Sequence, residues 1–440
     1  MAAIDAAAPE ATEVLIGRAG NAVALRALDL LGGGYGRRVV VVAGKGNNGN
    51  DGRDAARRLR KRGVRVEVID AADAAGSQLP SCDLVIDAAY GTGFKGTYAA
   101  PDAQGTQVLS VDIPSGVHGL TGDAASDAVH ATATVTFAAL KPGLLFYPGR
   151  ALAGAVSVAD IGLNCSSATA HVVEASDVVS WLPHRADDSH KWRAAVWVVA
   201  GSPGMGGAAA LAAGGAQRAG AGYVRLSSPG LDAGGPVPVE VVRTPLPHAA
   251  WDVEVLEGLG RFKALVLGPG LGTVPVTAPC VQRVVLESAV PTVVDGDALT
   301  LLGRDVSKWT HPLTVLTPHD GEYERLTGHA PGADRIDAAR ELAHTANATV
   351  VLKGATPVIA DNEGRALLVT TGDARLATAG TGDVLSGIVG ALLAQGVHPL
   401  RAAATGAWLH GRASSFGHRR GLVASDLLDG LPTVFDDLEG

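Results

Sequence analysis

The chain has 440 residues and a formal net charge of −8, and 47% of its residues are hydrophobic while 18% are charged. This balance is typical of globular proteins and argues against a disordered chain, and the length predicts two domains. The acidic charge, without a basic run interleaved with aromatic residues, argues against a nucleic-acid-binding protein.

The amino-terminal segment and the cysteines bear on the compartment. The first ten residues contain acids and no basic stretch before an apolar core, which is not the pattern of a secretion signal. Cys82, Cys165 and Cys280 are far apart, which favours free thiols in a reducing environment. Residues 194–217 carry no charge but contain six glycines and Pro203, so we expect strand, turn and helix there rather than a membrane span. These features predict a cytoplasmic protein with no membrane partner.

The first part of the chain alternates short apolar runs with glycine-rich turns. Strands are predicted at residues 39–43, 64–69, 83–87, 107–112 and 132–137, with Ala55 to Lys61 in a helical crossover. Apolar strands that do not alternate with polar residues predict a parallel, Rossmann-like sheet covered on both faces.

One connection in this series is short. Residues 97–106 join the third and fourth strands, and Pro101 and Gly105 discourage a helix there. One face of the sheet over 83–87 and 107–112 is therefore expected to lack cover. We expect another surface to pack on it, either that of the second domain or, as the favoured source, that of a second copy in a homo-oligomer.

A second series of strands follows a polar, irregular stretch at residues 160–190. Strands are predicted at 195–200, 223–226, 264–267, 291–295, 313–316 and 349–353, with a helix at 208–219 and a long apolar helix after Gly382. The sequence thus predicts two α/β domains, residues 1–165 and residues 170–440.

Carboxylates and amides stand at the predicted strand ends of the first domain. Residues 44–49 (GKGNNG) match the dinucleotide pattern GxGxxG, which alone would suggest a dehydrogenase. The run at 47–52 (NNGNDG) also offers oxygen ligands to a cation, or a simple helix cap. Asp87 and Asp112 each end a strand, and the carboxyl ends of parallel strands share one edge of a sheet.

The motifs NNGNDG, VIDAAYGTG, VDIPSGVHGLTGD, TVTFAALKPG and VSVADIG, in this order, resemble the NAD(P)HX epimerase domain over about residues 12–163. The resemblance implies a K⁺ ion held by Asn48, Asp87 and Ser115, and Asp112 as the catalytic residue. It implies that the substrate is bound by Asn47, Asn48, Gly49, Asn50, Asp51, Gly91, Thr92, Gly93, Phe94, Lys95, Gly96, Thr97 and Asp112. Asn50 stands where the family usually has glycine.

Glycine clusters mark the strand ends of the second domain, at residues 201–207, 268–272 and 380–383. The last cluster, Gly380-Thr381-Gly382-Asp383, opens the long helix, whose free N–H groups and dipole can hold an anion. Asp383 can be a catalytic base or an acid that only stabilises the helix. No Walker A sequence is present.

The motifs AGSPGMGG, VLGPGLG, VVDGDALTLL, LTPHDGEYERL, VLKG and ATAGTGDVLSGIVGALL together look like the ADP/ATP-dependent NAD(P)HX dehydratase domain, a ribokinase-like α/β/α fold, over about residues 170–415. The resemblance implies that Asp383 is catalytic and that the substrate is bound by Ala208, Gly270, His319 and Asp383. It also implies that ADP, or less favourably ATP, is bound with Mg²⁺ by Lys353, Gly354, Ala355, Thr356, Pro357 and Gly382. His319 could instead be a buried histidine with satisfied hydrogen bonds, and Trp192 follows HK where the family usually has glycine.

The two resemblances imply repair of hydrated cofactors. The first domain would interconvert the R and S forms of NADHX and NADPHX, and the second would dehydrate the S form with consumption of ADP. One alternative is a ribokinase-like small-molecule kinase whose amino-terminal nucleotide-binding module is degenerate. A dehydrogenase ranks last because the second domain shows no constellation for hydride transfer.

Overall fold

The computed structural model of the chain describes residues 8–94, 96, 98–231 and 237–439. The chain forms two compact units, one ending at Ala168 and the other beginning at Thr169. Among the described residues, no helix combines the length and the apolar character that crossing a membrane requires.

The first unit contains a six-stranded sheet. Its strands are β1 (Arg38–Ala43), β2 (Arg65–Asp70), β3 (Leu84–Ala88), β4 (Val108–Val111), β5 (Ala133–Phe137) and β6 (Ala155–Ala159). They lie in the order β2-β1-β3-β4-β5-β6, and every neighbouring pair is parallel. The predicted parallel sheet is confirmed, and β6 is an additional strand that the hydrophobic pattern did not single out.

The helices of this unit are α1 (Thr12–Leu31), α2 (Asn47–Lys61), α3 (Ala71–Ala74) and α4 (Gly149–Leu152). α1 and α2 cover one face of the sheet, where small residues allow a close approach. A Cβ on Gly20 of α1 would lie only 2.6 Å from Asp54 Cβ of α2. Asp54 in turn is paired with Arg57 and Arg58 of its own helix, which compensates its burial. α1 ends at Gly32, whose left-handed conformation (φ 65°) closes the last turn.

The opposite face of the sheet is covered without a crossover helix. β3 and β4 are fully buried, although the chain between them contains no helix in its described residues. Tyr90, Phe94 and Tyr98, which we call the aromatic cluster, pack over this face with ring centroids 4.6 Å (Tyr90–Phe94) and 5.0 Å (Tyr90–Tyr98) apart. Residues 71–79 and Val129 complete the cover. The expectation of an exposed face is therefore wrong, because a few aromatic rings bury the area that a helix would. This cover does not require a second copy of the chain, and the homo-oligomer stays a prediction.

The second unit is built on a ten-stranded sheet. Its strands are β7 (Ala170–Val172), β8 (Ala195–Val199), β9 (Tyr223–Ser227), β10 (Val242–Arg243), β11 (Ala264–Leu267), β12 (Thr292–Val294), β13 (Thr314–Leu316), β14 (Thr349–Leu352), β15 (Val358–Ala360) and β16 (Ala366–Leu368). The order is β10-β9-β8-β11-β12-β13-β14-β15-β16-β7. The strands from β10 to β14 are parallel, whereas β15 pairs antiparallel with both of its neighbours. The short strands β7, β10, β15 and β16 were not predicted.

The helices of this unit are α5 (Ala175–Trp181), α6 (Gly206–Arg218), α7 (Trp251–Gly258), α8 (Thr277–Glu287), α9 (Asp297–Leu302), α10 (Asp320–Thr327), α11 (Arg335–Ala346), α12 (Thr381–Ala394), α13 (Pro399–Ala413) and α14 (Ala424–Glu439). α12 is buried from Val384 to Ala394 and lies at the centre of the largest apolar core. It touches α6 through backbone, since a Cβ on Gly387 would lie 2.0 Å from the carbonyl oxygen of Ala212.

Both sheets have a topological switch point. β1 lies between β2 and β3, and β8 lies between β9 and β11. The connections that leave such a central strand run in opposite directions and open a crevice beyond its carboxyl end. Each unit therefore presents one crevice where ligands are expected.

Candidate active sites

The turn after β1 is built by glycines that contact the protein itself. A Cβ on Gly44 would lie 1.9 Å from the Ala89 carbonyl oxygen, and one on Gly49 would lie 1.9 Å from the Gly44 carbonyl oxygen. A side chain at either position would push the start of α2 away from the end of β3. The two glycines thus allow the first turn of α2, which carries Asn47 and Asn48, to lie close to the end of β3.

Asp87 and Ser115 meet at this crevice, as predicted. The buried Asp87 carboxylate accepts hydrogen bonds from Ser115 N (2.9 Å), Ser115 Oγ (2.6 Å) and Ser110 Oγ (2.9 Å). Burial raises the pKa of this carboxyl, although the three donors oppose the shift.

Asn48 packs against the same crevice with an unsatisfied amide. Its Cβ lies 3.4 Å from the position of a Cβ on Gly91, in the turn after β3. Among the described residues, neither Oδ1 nor Nδ2 of Asn48 has a hydrogen-bond partner, although both atoms are buried. A buried polar group without a partner costs about 1–3 kcal/mol, so such an amide favours a bound ligand or ion.

Asp112 follows β4 in a left-handed backbone conformation with φ 68°. Its Oδ1 lies 2.6 Å from Lys141 Nζ and accepts a hydrogen bond from Thr136 Oγ1 at 3.0 Å. Lys141 is 3% exposed, and its Nζ also donates to the carbonyl oxygen of Phe137 at 2.8 Å. A non-glycine residue held at positive φ stores strain, which is typical of functional positions.

Asp51 lies near Asp112 and is only 8% exposed. Burial, and then the charge of Asp112, raise the pKa of Asp51 to about 8. Asp51 was predicted as a substrate contact, but its perturbed carboxyl was not foreseen. Lys141 was missed as well, and its signal was a buried-type position for a lysine four residues after an apolar strand, in the quoted run TVTFAALKPG.

The other predicted residues of the first site are more exposed. Asn47 and Asn50 lie on the first turn of α2 with exposed side chains, so Asn50 does not occupy the tight turn that Gly49 fills. Thr92 packs on Gly119, and Phe94 belongs to the aromatic cluster. Gly93 and Gly96 have open space around them. Lys95 and Thr97 lie outside the described residues.

In the second unit, the glycine-rich loops that follow β8 and β11 are hydrogen-bonded to each other. Ser202 Oγ donates to the Gly270 carbonyl oxygen (2.8 Å), and Gly201 N donates to that of Pro269 (2.8 Å). Gly270 has φ 58°, and a Cβ there would lie 3.0 Å from Ala208 Cβ. Ala208 and Gly270, two predicted substrate contacts, therefore lie side by side.

A buried ion-pair network lies beyond β12 and β14. Lys353 Nζ donates to Asp295 Oδ1 at 2.9 Å and lies 3.5 Å from Glu322 Oε2, and Ser386 Oγ of α12 donates to Asp295 Oδ2 at 2.7 Å. Burial opposes the charge of Lys353, but Asp295 and Glu322 outweigh it and raise the pKa of the lysine. Asp295 and Glu322 were not predicted as site residues, although both lie in the quoted motifs VVDGDALTLL and LTPHDGEYERL.

Asp383 stands in the first turn of α12, close to this network. Burial, and then the charge of Asp295, raise the pKa of Asp383 to about 7, while Lys353 opposes the rise. A Cβ on the neighbouring Gly382 would lie 3.6 Å from Lys353 Nζ. The ammonium group therefore lies beside the first turn of α12, whose free N–H groups also attract an anion.

A buried histidine fixes the start of α12. His410 Nε2 lies 2.9 Å from the carbonyl oxygen of Thr381, and burial lowers the pKa of His410 to about 4. The ring is therefore neutral at pH 7 and donates from Nε2 to this oxygen. Nothing in the sequence around His410 indicated this role.

His319 caps a helix on the surface. Its Nδ1 accepts from Gly321 N (3.0 Å) and Glu322 N (3.3 Å), while Glu322 Oε2 accepts from His319 N (2.8 Å), which is a capping box. The side chain is 55% exposed, so the alternative of a buried histidine is wrong. Nδ1 is occupied by the cap, and Nε2 lies 3.5 Å from Glu322 Oε1 on the exposed side of the ring.

The predicted nucleotide segment follows β14. Lys353 and Pro357 are half-buried, Gly354 and Ala355 are exposed, and Thr356 is buried. Arg335 Nη2 donates to the Lys353 carbonyl oxygen at 2.8 Å. At the position where the family usually has glycine, the indole ring of Trp192 packs on the ring of Tyr223, with the ring centroids 4.4 Å apart.

Two family models match the chain, one for each unit. The model described as NAD(P)H-hydrate dehydratase matches residues 196–431, and the model described as YjeF-related protein N-terminus matches residues 12–80 and 70–143. The bifunctional NAD(P)H-hydrate repair enzyme of Moorella thermoacetica is 38% identical over 92% of this chain and 88% of its own length. That of Mycobacterium tuberculosis is 39% identical over 85% of this chain and 82% of its own length.

Solved structures resemble the second unit. The ADP/ATP-dependent NAD(P)H-hydrate dehydratase of Bacillus subtilis, co-crystallised with ATP/Mg²⁺, is 30% identical with a TM-score of 0.52, and the match covers 61% of this chain and 98% of that one. A ribokinase-like superfamily protein of Enterococcus faecalis is 21% identical with a TM-score of 0.54, over 62% of this chain and 98% of its own, which shows the fold alone. The predicted ribokinase-like fold is confirmed.

Proposed function

The chain belongs to the family of bifunctional NAD(P)H-hydrate repair enzymes, and on this premise we propose how its two sites divide the repair of hydrated NADH and NADPH. The first unit interconverts the R and S hydrates, and the second dehydrates the S hydrate. The observation that carries this division is that each unit has its own lysine–aspartate pair beyond the carboxyl ends of its strands, Lys141 with Asp112 in the first unit and Lys353 with Asp295, close to Asp383, in the second. A small-molecule kinase is not favoured, because relatives match the chain over both units.

In the second site, Asp383 acts as general base. Its carboxylate takes the proton of the ring C6 hydroxyl while that oxygen attacks the terminal phosphorus of the nucleotide. The electron pair of the ring nitrogen then expels phosphate from C6, and loss of a proton from C5 forms the C5–C6 double bond of the reduced ring. Ala208, Gly270 and His319 bind the hydrate.

Lys353 supports the same step. Asp295 and Glu322 fix its ammonium group beside Gly382, where it can balance the charge of the transferred phosphoryl group. The segment Lys353, Gly354, Ala355, Thr356 and Pro357 binds the nucleotide together with Gly382.

We rank ADP above ATP as that nucleotide, and Mg²⁺ accompanies it. The related Bacillus subtilis enzyme is named ADP/ATP-dependent and was crystallised with ATP/Mg²⁺. In the described part of the chain, no three His, Cys, Asp or Glu side chains are arranged to hold a metal ion. This fits an ion bound mainly through phosphate oxygens and water, which is usual for Mg²⁺.

In the first site, Asn48, Asp87 and Ser115 hold K⁺, and Asp112 carries the epimerisation. The unsatisfied Oδ1 of Asn48 and the buried carboxylate of Asp87 are hard oxygen ligands of the kind that an alkali cation takes. A bound K⁺ supplies a fixed positive charge at the crevice. Residues 47–51 and 91–97 contact the substrate around it.

One experiment tests the division of labour. The full chain is incubated with a mixture of R and S hydrates, ADP and Mg²⁺, and the absorbance of the reduced ring is followed. Complete recovery of both epimers supports two working sites. Recovery that stops when the S hydrate is spent would show that the first unit does not epimerise, and no recovery would refute the assignment of the second. Light scattering of the same sample tests the predicted homo-oligomer.

A further inference from the structure

Asp112 and Lys141 form an ion pair at the carboxyl edge of the first sheet, and Asp51 stands on the second turn of α2, the helix that begins at that edge. Lys141 Nζ is 2.6 Å from Asp112 Oδ1, and the charge of Asp112 acts on the carboxyl of Asp51. Lys141 pairs with Asp112 and with a backbone carbonyl. Within the described residues, the Asp51 carboxyl accepts no hydrogen bond and pairs with no cation, although it is more than nine-tenths buried.

The net charge of Asp51, Asp112 and Lys141 together is zero when one of the two carboxyl groups is protonated. With both carboxyls ionised, two negative charges would face one positive charge in a partly dehydrated site. With one proton on Asp51, the cluster is neutral, and Asp112 stays ionised beside Lys141. Two carboxyl groups that share one proton, with environments that differ, are the usual arrangement of an acid and a base in one active site.

Three other charged residues on α2 and β3 have partners of their own. Arg53, two residues along α2, donates to the carbonyl oxygens of Gly44 and Ala43. Asp54 is paired with arginines of its own helix. Asp87, on the strand against which α2 packs, is bonded to two serines. Among the described residues, Asp112 is therefore the charge that acts on the Asp51 carboxyl.

We propose that Asp51 and Asp112 form an acid–base pair for inversion at C6, in which Asp51 gives its proton to the departing hydroxyl group and Asp112 takes one from the entering water, while Lys141 positions Asp112. This proposal rests on the assignment of Asp112 made above. It adds a second catalytic residue, Asp51, and a positioning residue, Lys141.

The step balances without an external reagent. The C6–O bond breaks, its electron pair takes the proton of Asp51, and water leaves while the lone pair of the ring nitrogen forms a double bond to C6. Water then bonds to C6 from the opposite face, returning that electron pair to nitrogen and giving one proton to Asp112. Transfer of this proton from Asp112 to Asp51 restores the starting state, so the pair serves both directions of the reaction.

Isotope labelling tests the bond that breaks. The full chain, without ADP, is given R hydrate in H₂¹⁸O, and the S hydrate that forms is analysed by mass spectrometry, with spontaneous exchange subtracted. We expect one ¹⁸O per inverted molecule. Inverted product that keeps its original oxygen would overturn the proposal, because it would mean that the C6–O bond is not broken.

Variants test the two roles in the same assay. We expect Asp51→Asn to slow inversion by about 10²–10⁴-fold, the range for a lost acid or base, and Asp51→Glu to restore part of the rate. The exposed Asp73→Asn, which removes one acidic group from the same unit, should leave the rate unchanged. In the wild type, inversion should decline above a pH of about 8, where Asp51 loses its proton, and this decline should be absent in Asp51→Asn.

The remaining outcomes separate this proposal from the one on which it rests. Lys141→Met should lower kcat far more than it changes KM, with partial rescue by Lys141→Arg. If Asp112→Ala abolishes inversion but Asp51→Asn does not, the acid–base pair is refuted and the assignment of Asp112 stands. If Asp112→Ala inverts the hydrate at the wild-type rate, both fail.

Discussion

The raised pKa of Asp383 predicts how dehydration depends on pH. The general base must be ionised, so the rate should rise with pH through the pKa of about 7. For a single group of that pKa, the ionised fraction is about one-eleventh at pH 6 and about ten-elevenths at pH 8, which gives roughly a tenfold increase. An aspartate at its ordinary value of 3.8 would be ionised at both pH values and would give a flat profile.

Asp295→Asn is the perturbation that identifies the titrating group. The negative charge of Asp295 raises the pKa of Asp383, and its removal also frees the positive charge of Lys353, which lowers it. Both changes lower the pKa of Asp383, so the pH–rate profile of the variant should shift to lower pH. The assay is kcat/KM for dehydration of the S hydrate with ADP and Mg²⁺, followed by the absorbance of the reduced ring.

The nucleotide provides the control. A terminal phosphate also titrates, at a pH of about 6, but its pKa in solution is the same whichever variant is used. Only a shift between variants therefore reports on Asp383. A profile that is flat between pH 6 and 8, or one that moves to higher pH in Asp295→Asn, would refute the role of Asp383 as a base with a raised pKa.

Three further predictions concern single substitutions. Asp383→Asn should lower kcat for dehydration by about 10²–10⁴-fold, and full activity in that variant would remove Asp383 from the mechanism. Asp112→Ala should leave the R hydrate unconverted in the presence of ADP while the S hydrate is still consumed; equal loss of both epimers, faster than the spontaneous rate, would contradict this. Gly387→Ala should lower the free energy of unfolding by about 1–3 kcal/mol in urea, because its Cβ would meet the carbonyl oxygen of Ala212. Gly207→Ala, in a helix with open space around it, is the matched control and should not destabilise.

The sequence was informative where chain order alone decides the geometry. Parallel strands bring their carboxyl ends to one edge, so the pattern was enough to predict that Asp87 and Asp112 lie at the same edge of the sheet, whereas the meeting of Ser115 with Asp87 was implied only by the family resemblance. The glycine run before Asp383 likewise located the start of the long helix to within a few residues.

Contacts between residues distant in the sequence escaped prediction. Lys141 reaches Asp112 across two neighbouring strand ends, and Lys353 reaches Asp295 from a strand two places away in the sheet. No spacing rule specifies which lysine neutralises which carboxylate. The cover of the first sheet was mispredicted for a related reason, since Tyr90, Phe94 and Tyr98 replace a helix without showing helical periodicity.

The burial of α12 links heat inactivation of the dehydratase to unfolding of its unit. Asp383 sits on the first turn of a helix whose remaining length is enclosed by the core, and His410 ties that turn to α13. Asp383 therefore keeps its position while the core is folded and loses it when the core unfolds. After a heat pulse, residual dehydratase activity should consequently decay along the same curve as the native tryptophan fluorescence of this unit. The rate of turnover would then report the fraction of this unit that is folded.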